Sequence, residues 1–343
     1  PHSFMLKHAG PVERFLGMVF FRDEDGNLCW SPREYIDRMV DAFEHTFGHK
    51  PKQNVSSPLE KNDHPELDMT ELLDMDGVNK YQSLIGALQW SISLGRFDVM
   101  TAVMTLSSFR VAPRQGHMDR IKRVYAFLMR FRDAVIRIRT EKPDYSDLPD
   151  PDYDWARTVY GDIKEEIPAD APKPLGKAVV HTCYVDANLL HCLVTGRSVT
   201  GVLHFWNQTP GEWYSKKQAT VETATYGSEF VAARTAVDQI EDIRQTFRYL
   251  GVPIEGKSYL FGDNASVVTS GTVPQSSLKK RHSLLCYHRV REAVASAMMV
   301  FNHMPGEHNP ADIVSKHWGY QQVWSTLRLI LFWDGKYKHK AEG

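Results

Sequence analysis

The chain has 343 residues, of which 42% are hydrophobic and 24% are charged, and its formal net charge is −1. This length allows two domains with cores of their own, and the composition is that of an ordinary globular protein. The near-neutral charge excludes a uniformly basic nucleic-acid coat, and the lack of any run of about 18 apolar residues predicts no membrane span.

The chain opens with a predicted β-hairpin followed by a helix. Apolar residues 15–21 and 28–30 flank a turn at 25–27, where the sequence reads Asp-Gly-Asn. Ser31 is predicted to cap the helix, with Glu34 reaching back to form a capping box. The apolar residues of this helix recur at helical spacing, so we interpret them as core.

A long loop and three helices are predicted to complete the first half. Residues 49–76 are polar and rich in Pro, Ser and acids, which indicates a connecting loop. The predicted helices lie at about 77–94, 97–109 and 115–133, and a short strand, AVIRIR, follows them. Residues 110–139 hold nine Lys and Arg against two Asp, which is compatible with a phosphate-binding face or with a solvated helix surface.

Residues 141–176 concentrate Pro, Asp and Glu with little periodicity. This composition predicts an extended, self-repelling tether rather than a packed element. We place the domain boundary near residue 175.

The second half predicts a mixed sheet covered by helices, an α/β class. Three early strands with hairpin-length connections are followed by alternating helices and strands. The predicted strands lie at about 178–190, 199–206, 211–218, 258–264 and 298–305. The predicted helices lie at about 223–250, 265–271, 277–297, 309–316 and 320–333.

Four acids of the second half lie where strands end or helices begin. Asp186 is the one carboxylate of the apolar stretch AVVHTCYVDANLL, where an unpaired buried charge would be costly. Asp263 ends a second apolar strand, Glu229 lies in the first turns of the long helix, and Asp312 opens a short helix. Two divalent ions about 4 Å apart require carboxylates that converge from different elements. The order Asp, Glu, Asp, Asp therefore predicts a two-metal phosphodiester hydrolase.

Each acid also has an ordinary structural interpretation. A strand-end Asp is commonly a turn or cap residue, a helical Glu is commonly solvated, and Asp312 suits a first helical turn because of the helix dipole. An integrase or transposase on a related fold is disfavoured, because its Glu would come last and here the Glu is second.

Longer motifs occur in both halves. The second half contains TGRSVTGVLHFW, WYSKKQ, TYGSEFVAA, GDN, KRHSLLCYHRVRE and NPADIVSK. The first half contains FLGM, SSPLE, YQSLIGALQW and RFDVMTAVMTLSSF. Together they resemble the Pol polyprotein of copia-type (Pseudoviridae) retrotransposons, in the C-terminal part of its reverse transcriptase and in its ribonuclease H (RNase H) domain. That family's polymerase aspartates should lie before residue 1, so no polymerase activity is expected of this chain alone.

The resemblance implies an RNase H-like fold, a mixed five-stranded sheet flanked by helices. It would be preceded by a helical, α+β region like a reverse-transcriptase thumb and connection. The implied domains are a reverse-transcriptase part at 1–140, an acidic Pro-rich linker at 141–176, an RNase H domain at 177–318, and a C-terminal helix with a basic tail at 319–343.

Matched to the motifs of the family, four residues are implied as catalytic ligands of two Mg²⁺ or Mn²⁺ ions: Asp186, Glu229, Asp263 and Asp312. His308 is a candidate to protonate the leaving group, and His303 competes for that role. The sequence departs from the family at Gly227, where an additional Glu is usual, and after Asp186, where Ala-Asn replaces an acidic-Trp pattern.

Candidate nucleic-acid contacts follow from the same motifs. The FLG motif resembles the primer grip of the family, basic residues near 280 would face phosphates, and polar residues beside the acids are candidates to contact 2′-hydroxyl groups. The candidates are Phe15, Leu16, Gly17, Ser228, Asn264, Lys279, Lys280, Arg281 and Arg289.

The implied partners are an RNA–DNA hybrid and the remaining reverse-transcriptase domains, with no membrane. Four cysteines without CxxC spacing predict reduced thiols, and the resemblance implies an intracellular location, in the cytoplasm or a virus-like particle. The start PHSFMLKHAG is not a secretory signal and lacks an initiator Met, so we expect an excised segment. Whether the chain forms a homodimer is left open.

The alternative function is a non-catalytic module that binds RNA–DNA hybrid or serves as a connection, with relic acids. Retention of all four acids argues against it.

Overall fold

The computed structural model describes residues 10–52, 54–149, 153–278 and 281–334. The first half begins with a small antiparallel sheet of four short strands: β1 (Arg14–Phe15), β2 (Met18–Arg22), β3 (Leu28–Ser31) and β4 (Ile136–Arg137). The predicted hairpin is therefore present as β2 and β3, and Val19 pairs with Ser31 across it. The basic C-terminal tail predicted after residue 334 lies outside the described residues.

Four helices form most of the first half: α1 (Arg33–Phe47), α2 (Met75–Ser93), α3 (Met100–Ser107) and α4 (Gln115–Arg130). The predicted capping box at α1 is incomplete. The Ser31 hydroxyl accepts from the backbone N–H of Arg33 and donates to the carbonyl of Ala134. Glu34 accepts a hydrogen bond from Arg14 instead of reaching back. Ala134 and Arg14 are distant in sequence, so tertiary contacts help to fix this helix start.

Some of the nine basic residues of 110–139 form ion pairs that join separate segments of the chain. Arg120 pairs with Asp63 and Asp68, and Arg137 pairs with Asp23 and Asp25. These pairs fasten the 54–74 loop to α4 and the hairpin to β4. The structure therefore gives a folding role to cations that the sequence left open as a phosphate-binding face.

The second half contains a mixed five-stranded sheet flanked by helices, which confirms the predicted fold class. Its strands are β5 (His181–Asn188), β6 (Val199–Trp206), β7 (Thr209–Lys217), β8 (Ser258–Gly262) and β9 (Met299–His303). The order across the sheet is β7-β6-β5-β8-β9. The first three strands are antiparallel, and β8 and β9 run parallel to β5.

Five helices belong to the second half: α5 (Thr225–Tyr249), α6 (Ala265–Thr272), α7 (Leu284–Ala295), α8 (Asp312–Ser315) and α9 (Tyr320–Leu331). Alternation of side chains along the strands gives the sheet two apolar faces. One face packs against α5, α6 and α7 and buries Val185 and Val202. Leu203 and Phe205 on the other face join a cluster with α8, α9 and the helices of the first half. The two halves therefore share one core across the acidic segment.

The acidic segment is partly packed, which corrects the expectation of an extended tether for residues 153–166. Trp155 is buried, with its ring centroid 4.9 Å from the guanidinium carbon of Arg291. The Tyr160 hydroxyl is hydrogen-bonded to His288, and Glu165 accepts from Arg244 at 2.7 Å. Aromatic and ion-pair contacts thus hold this segment against α5 and α7.

A chain of buried polar groups crosses the middle of the sheet. His181 and His204, on neighbouring strands, are fully buried and hydrogen-bonded to each other at 3.1 Å. His204 is also hydrogen-bonded to Gln239 on α5, and His181 to Ser258 on β8. Burial lowers the pKa of both imidazoles, that of His204 to about 4.

Within the described residues, none of the helices combines the length and apolarity that crossing a membrane would require.

Candidate functional site

The site is built around Asp186, on the central strand β5. Its side chain is almost fully buried, although the surrounding strand is apolar. A buried carboxylate is costly unless polar partners compensate it. Ser315 donates its hydroxyl proton to Asp186 Oδ2, and Lys316 Nζ lies 3.3 Å from Oδ1. Both oxygens therefore have a partner supplied by the segment at the end of α8.

Two further aspartates converge on Asp186 from other elements. Asp263 directly follows β8, the parallel neighbour of β5, so it lies at the same edge of the sheet. Asp312 is the first residue of α8. One carboxylate oxygen from each of the three aspartates lies within 4.8 Å of the others. The structure thus brings together three of the four predicted acids tightly enough to share an ion.

Glu229 approaches the same group from α5 but does not belong to the closest triple. It is buried, and burial together with the charges of Asp186 and Asp263 raises its pKa well above the ordinary value. Such an effect requires proximity, because charge interactions weaken with distance. The four predicted acids therefore form one electrostatic cluster.

The aspartates show the same mutual repulsion. Burial and the charge of Asp186 raise the pKa of Asp312 to about 6, and the same two causes raise the pKa of Asp263. Lys316 opposes both shifts but does not abolish them. Ionised carboxylates held this close repel one another. Together they supply the negative charge and the oxygen ligands that suit divalent cations.

Lys316 was not predicted from the sequence as a site residue. Its ammonium lies 2.6 Å from Asp312 Oδ1 and 3.3 Å from Asp186 Oδ1, so it bridges two of the acids. The sequence did contain a hint of its contact with Asp312, because an acid and a lysine four residues apart share one face of a helical turn. That spacing is common on protein surfaces, and nothing in the sequence shows that it faces Asp186.

Gly201 allows α8 to lie close to the sheet. It pairs directly with Asp186 across β5 and β6. A Cβ atom at this position would lie 2.7 Å from Ser315 Cβ, 2.9 Å from Ser315 N and 3.0 Å from the carbonyl oxygen of Ala311. Backbone atoms cannot move aside as a flexible side chain can. The absence of a side chain at Gly201 therefore determines how closely Asp312 and Ser315 approach Asp186.

The two candidate histidines lie on either side of a loop that touches Asp263. His303 ends β9, and its Nε2 is 3.1 Å from the backbone oxygen of Asp263. His308 is 70% exposed in its side chain, and its Nε2 lies 3.5 Å from Glu307. Of the two, His303 makes the described contact with the acid cluster. A role for either in proton transfer remains a prediction.

The structure buries one candidate nucleic-acid contact and gives another ion-pair partners within the protein. Ser228 is fully buried and donates its hydroxyl proton to the carbonyl of Thr225, so it does not reach a bound ligand. Arg289 pairs with Asp238, Glu241 and Glu292, which joins α7 to α5. Its acidic partners lie on another helix or one turn away, so the guanidinium has a structural use that the basic motif did not reveal.

Asn264 and Arg281 retain surface positions. The Asn264 amide oxygen accepts from the backbone N–H groups of Ser266 and Val267, so it caps α6. Arg281 is exposed in a short 3₁₀ turn before α7. Lys279 and Lys280 lie outside the described residues.

The predicted primer-grip residues form an exposed hairpin tip. Leu16 and Gly17 link β1 to β2 with positive φ angles of 53° and 98°. Phe15 and Leu16 are each 56% exposed. The turn thus presents two large apolar side chains to solvent.

The sequence departure at Gly227 has a structural counterpart. A Cβ atom at Gly227 would lie 2.3 Å from a carboxylate oxygen of Glu222. Glu222 is buried and pairs with His282 at 2.9 Å, in the turn before α7. A different carboxylate thus occupies the space beside Gly227.

No family model matches the chain. It is 23% identical over 320 residues to the retrovirus-related Pol polyprotein from transposon TNT 1-94 of Nicotiana tabacum, covering 92% of this chain and 21% of that polyprotein. It is 25% identical over 241 residues to a putative transposon Ty5-1 protein of Saccharomyces cerevisiae, covering 69% of this chain and 64% of that protein. The Pol polyprotein from transposon RE2 of Arabidopsis thaliana is 23% identical over 317 residues, with 91% of this chain and 18% of that polyprotein covered. The relatives are thus retrotransposon proteins, and the chain spans only about a fifth of the two full polyproteins.

Among solved structures, the N-terminal RNase H domain of a Mycobacterium tuberculosis protein is 12% identical, with a TM-score of 0.32, and covers 44% of this chain and 98% of that one. LC11-RNase H1 in complex with an RNA/DNA hybrid is 15% identical, also with a TM-score of 0.32, and covers 39% of this chain and 93% of that one. TM-scores this low do not establish a common fold. The fold is assigned from the strand order of the sheet.

Proposed function

We propose that the chain is part of a copia-type retrotransposon reverse transcriptase and that its second half is an RNase H, which hydrolyses the RNA strand of RNA–DNA hybrids. The observation that carries the proposal is the convergence of Asp186, Asp263 and Asp312 within 4.8 Å, with Glu229 beside them. The relatives named as retrotransposon Pol polyproteins support the same conclusion.

The acids fit divalent metal ions on charge and on ligand type. Asp186, Glu229, Asp263 and Asp312 supply only carboxylate oxygens, which Mg²⁺ and Mn²⁺ accept. The raised pKa values of three of them reflect burial first and then neighbouring negative charge, which Lys316 alone does not offset. We infer that these residues hold two ions, which when bound would activate water and stabilise charge on the phosphate.

The residues of the chain have separate tasks in this proposal. Asp186 would help to hold the ions because its charge acts on each of the other three acids, and Ser315 would orient it by donating to one oxygen. His303 or His308 would donate a proton to the departing sugar oxygen. His303 is favoured because it lies against Asp263, although His308 can approach from the same loop.

Nucleic acid would bind across the open edge of the site and along the first half. Lys279, Lys280 and Arg281 are proposed to face the phosphates, and Asn264 to contact the RNA strand. Exposed phosphate contacts make binding depend on salt, because bound counterions are released. The hairpin tip at Phe15, Leu16 and Gly17 is proposed to contact the primer strand as a primer grip.

The proposed organisation is a thumb and connection region at 1–140, a linker at 141–176, an RNase H domain at 177–318 and a C-terminal helix and tail at 319–343. The other reverse-transcriptase domains would be partners, and the chain would act inside the cell. A homodimer remains a proposal to be tested by sedimentation.

The test is cleavage of a labelled RNA–DNA hybrid by the purified chain with Mg²⁺, and again with EDTA. Double-stranded DNA and single-stranded RNA are the control substrates. Asp263→Asn should abolish cleavage, and Asp170→Asn, at an exposed position of the acidic segment, should not. Full metal-dependent cleavage by Asp263→Asn would refute the site. Binding of the hybrid without cleavage would favour the non-catalytic module with relic acids.

A further inference from the structure

Lys316 occupies one side of the acid cluster. Its Nζ contacts Oδ1 of both Asp186 and Asp312, whereas no hydrogen bond or ion pair joins it to Glu229 or Asp263 among the described contacts. The side chain is 36% exposed and reaches the acids from the end of α8. The cluster is therefore asymmetric: Lys316 contacts Asp186 and Asp312 directly, and it acts on Glu229 and Asp263 only through its charge.

A divalent ion that bridges Asp186 and Asp312 would need the oxygens that now contact Lys316. An ammonium group is a compact point charge on a flexible stem, so it can leave without a change in the backbone. Like charges a few ångströms apart repel strongly in a partly buried site. The ion and the ammonium therefore compete for the Asp186–Asp312 pair. An ion on the Asp263 side of Asp186 meets less of this opposition, because no described contact joins the ammonium to Asp263.

We propose that Lys316 is a displaceable internal cation, which limits the chain to one tightly bound divalent ion when nucleic acid is absent. This rests on the proposed function. The second ion enters the Asp186–Asp312 position when Lys316 moves away, and a phosphate of bound nucleic acid supplies the alternative partner for its ammonium. No bond is made or broken in this step.

The test measures Mn²⁺ binding by the full chain without nucleic acid, by calorimetry and by the electron paramagnetic resonance signal of free Mn²⁺. The wild type should bind one ion tightly. Lys316→Met should bind a second ion at least about tenfold more tightly than the wild type does. Lys316→Arg keeps the charge and should behave as the wild type. Lys173→Met changes the net charge equally at an exposed site and is the matched control.

Thermal unfolding keeps the test informative if Lys316→Met is less stable. Without metal, this variant should unfold at a lower temperature than the wild type, because two acids lose their cation. Mn²⁺ should then raise its unfolding temperature more than that of the wild type. An equal rise in both chains, with equal ion stoichiometry, would overturn the proposal.

Asp263→Asn separates this inference from the proposed function. If Asp263→Asn removes the tight ion and Lys316→Met changes nothing, the metal site stands and the role of Lys316 is wrong. If no variant binds Mn²⁺, the two-metal function fails and the inference fails with it.

Discussion

The buried pair His181–His204 should make stability depend on pH. Burial lowers the pKa of His204 to about 4, against an ordinary value of 6.5. Below pH 6.5 the unfolded chain binds a proton at this position that the folded chain does not accept. The contribution of the neutral imidazole is therefore present above pH 6.5 and is lost as the pH falls towards 4.

The magnitude follows from that difference in pKa. Between pH 7 and pH 5, the free energy of unfolding should fall by about 2 kcal/mol through His204 alone. The acids of the site act in the opposite direction, because the raised pKa of Asp312 makes the folded chain gain protons first. Measurement of the whole chain would therefore mix two effects, and a comparison with a variant is needed.

His204→Gln removes the titrating group and retains a polar side chain. At pH 7 the variant should be less stable than the wild type, since its hydrogen bonds with His181 and Gln239 are altered. That deficit should shrink by about 2 kcal/mol at pH 5, because only the wild type is penalised by protonation. The assay is urea unfolding followed by tryptophan fluorescence at several pH values.

The control is His45→Gln, which removes an exposed histidine from α1. The change with pH in the stability difference from the wild type should be larger for His204→Gln than for His45→Gln, because only His204 is buried. A constant difference for His204→Gln between pH 5 and pH 7 would refute the reasoning.

Three further predictions concern the site and the core. Gly201→Ala should displace α8 and reduce hybrid cleavage by about tenfold or more while leaving every acid in place; unchanged kcat/KM would show that the close approach is unnecessary. Arg96 and Asp98 form a fully buried ion pair, so Arg96→Met should destabilise the chain by about 3–5 kcal/mol because it leaves a buried charge; the double change with Asp98→Leu should cost less, as measured by chemical unfolding. Mn²⁺ should bind more weakly at pH 5.5 than at pH 7.5, because the pKa of Asp312 is raised to about 6 by burial and Asp186; calorimetry at the two pH values would contradict this if the affinities were equal.

The sequence predicted the elements of the second half well, because periodicity and turn residues are local properties. The strand β6 begins and ends where it was predicted, and the acid at Asp186 was conspicuous in an apolar strand. Asp263 and Asp312 could also be found from local pattern, because Asp263 directly follows a strand and Asp312 opens a helix.

What the sequence could not supply were contacts between distant segments. The ion pairs of Arg289 and the burial of Ser228 depend on neighbours that only the fold brings close. Lys316 lies near Asp312 in sequence, but its contact with Asp186 spans 130 positions. The acidic segment looked like a tether because its anchors, Trp155 and Glu165, are isolated among charged residues.

The hydrophobic core shared by the two halves affects how the protein folds during translation. Helices α1–α4 are synthesised early, but their cluster also needs Leu203, Trp324 and Leu331. At translation rates of about 5–20 residues per second, the first half waits on the order of ten seconds or more for the last of them. During that interval it exposes apolar surface that α9 later covers, so the nascent chain should depend on chaperones until α9 emerges.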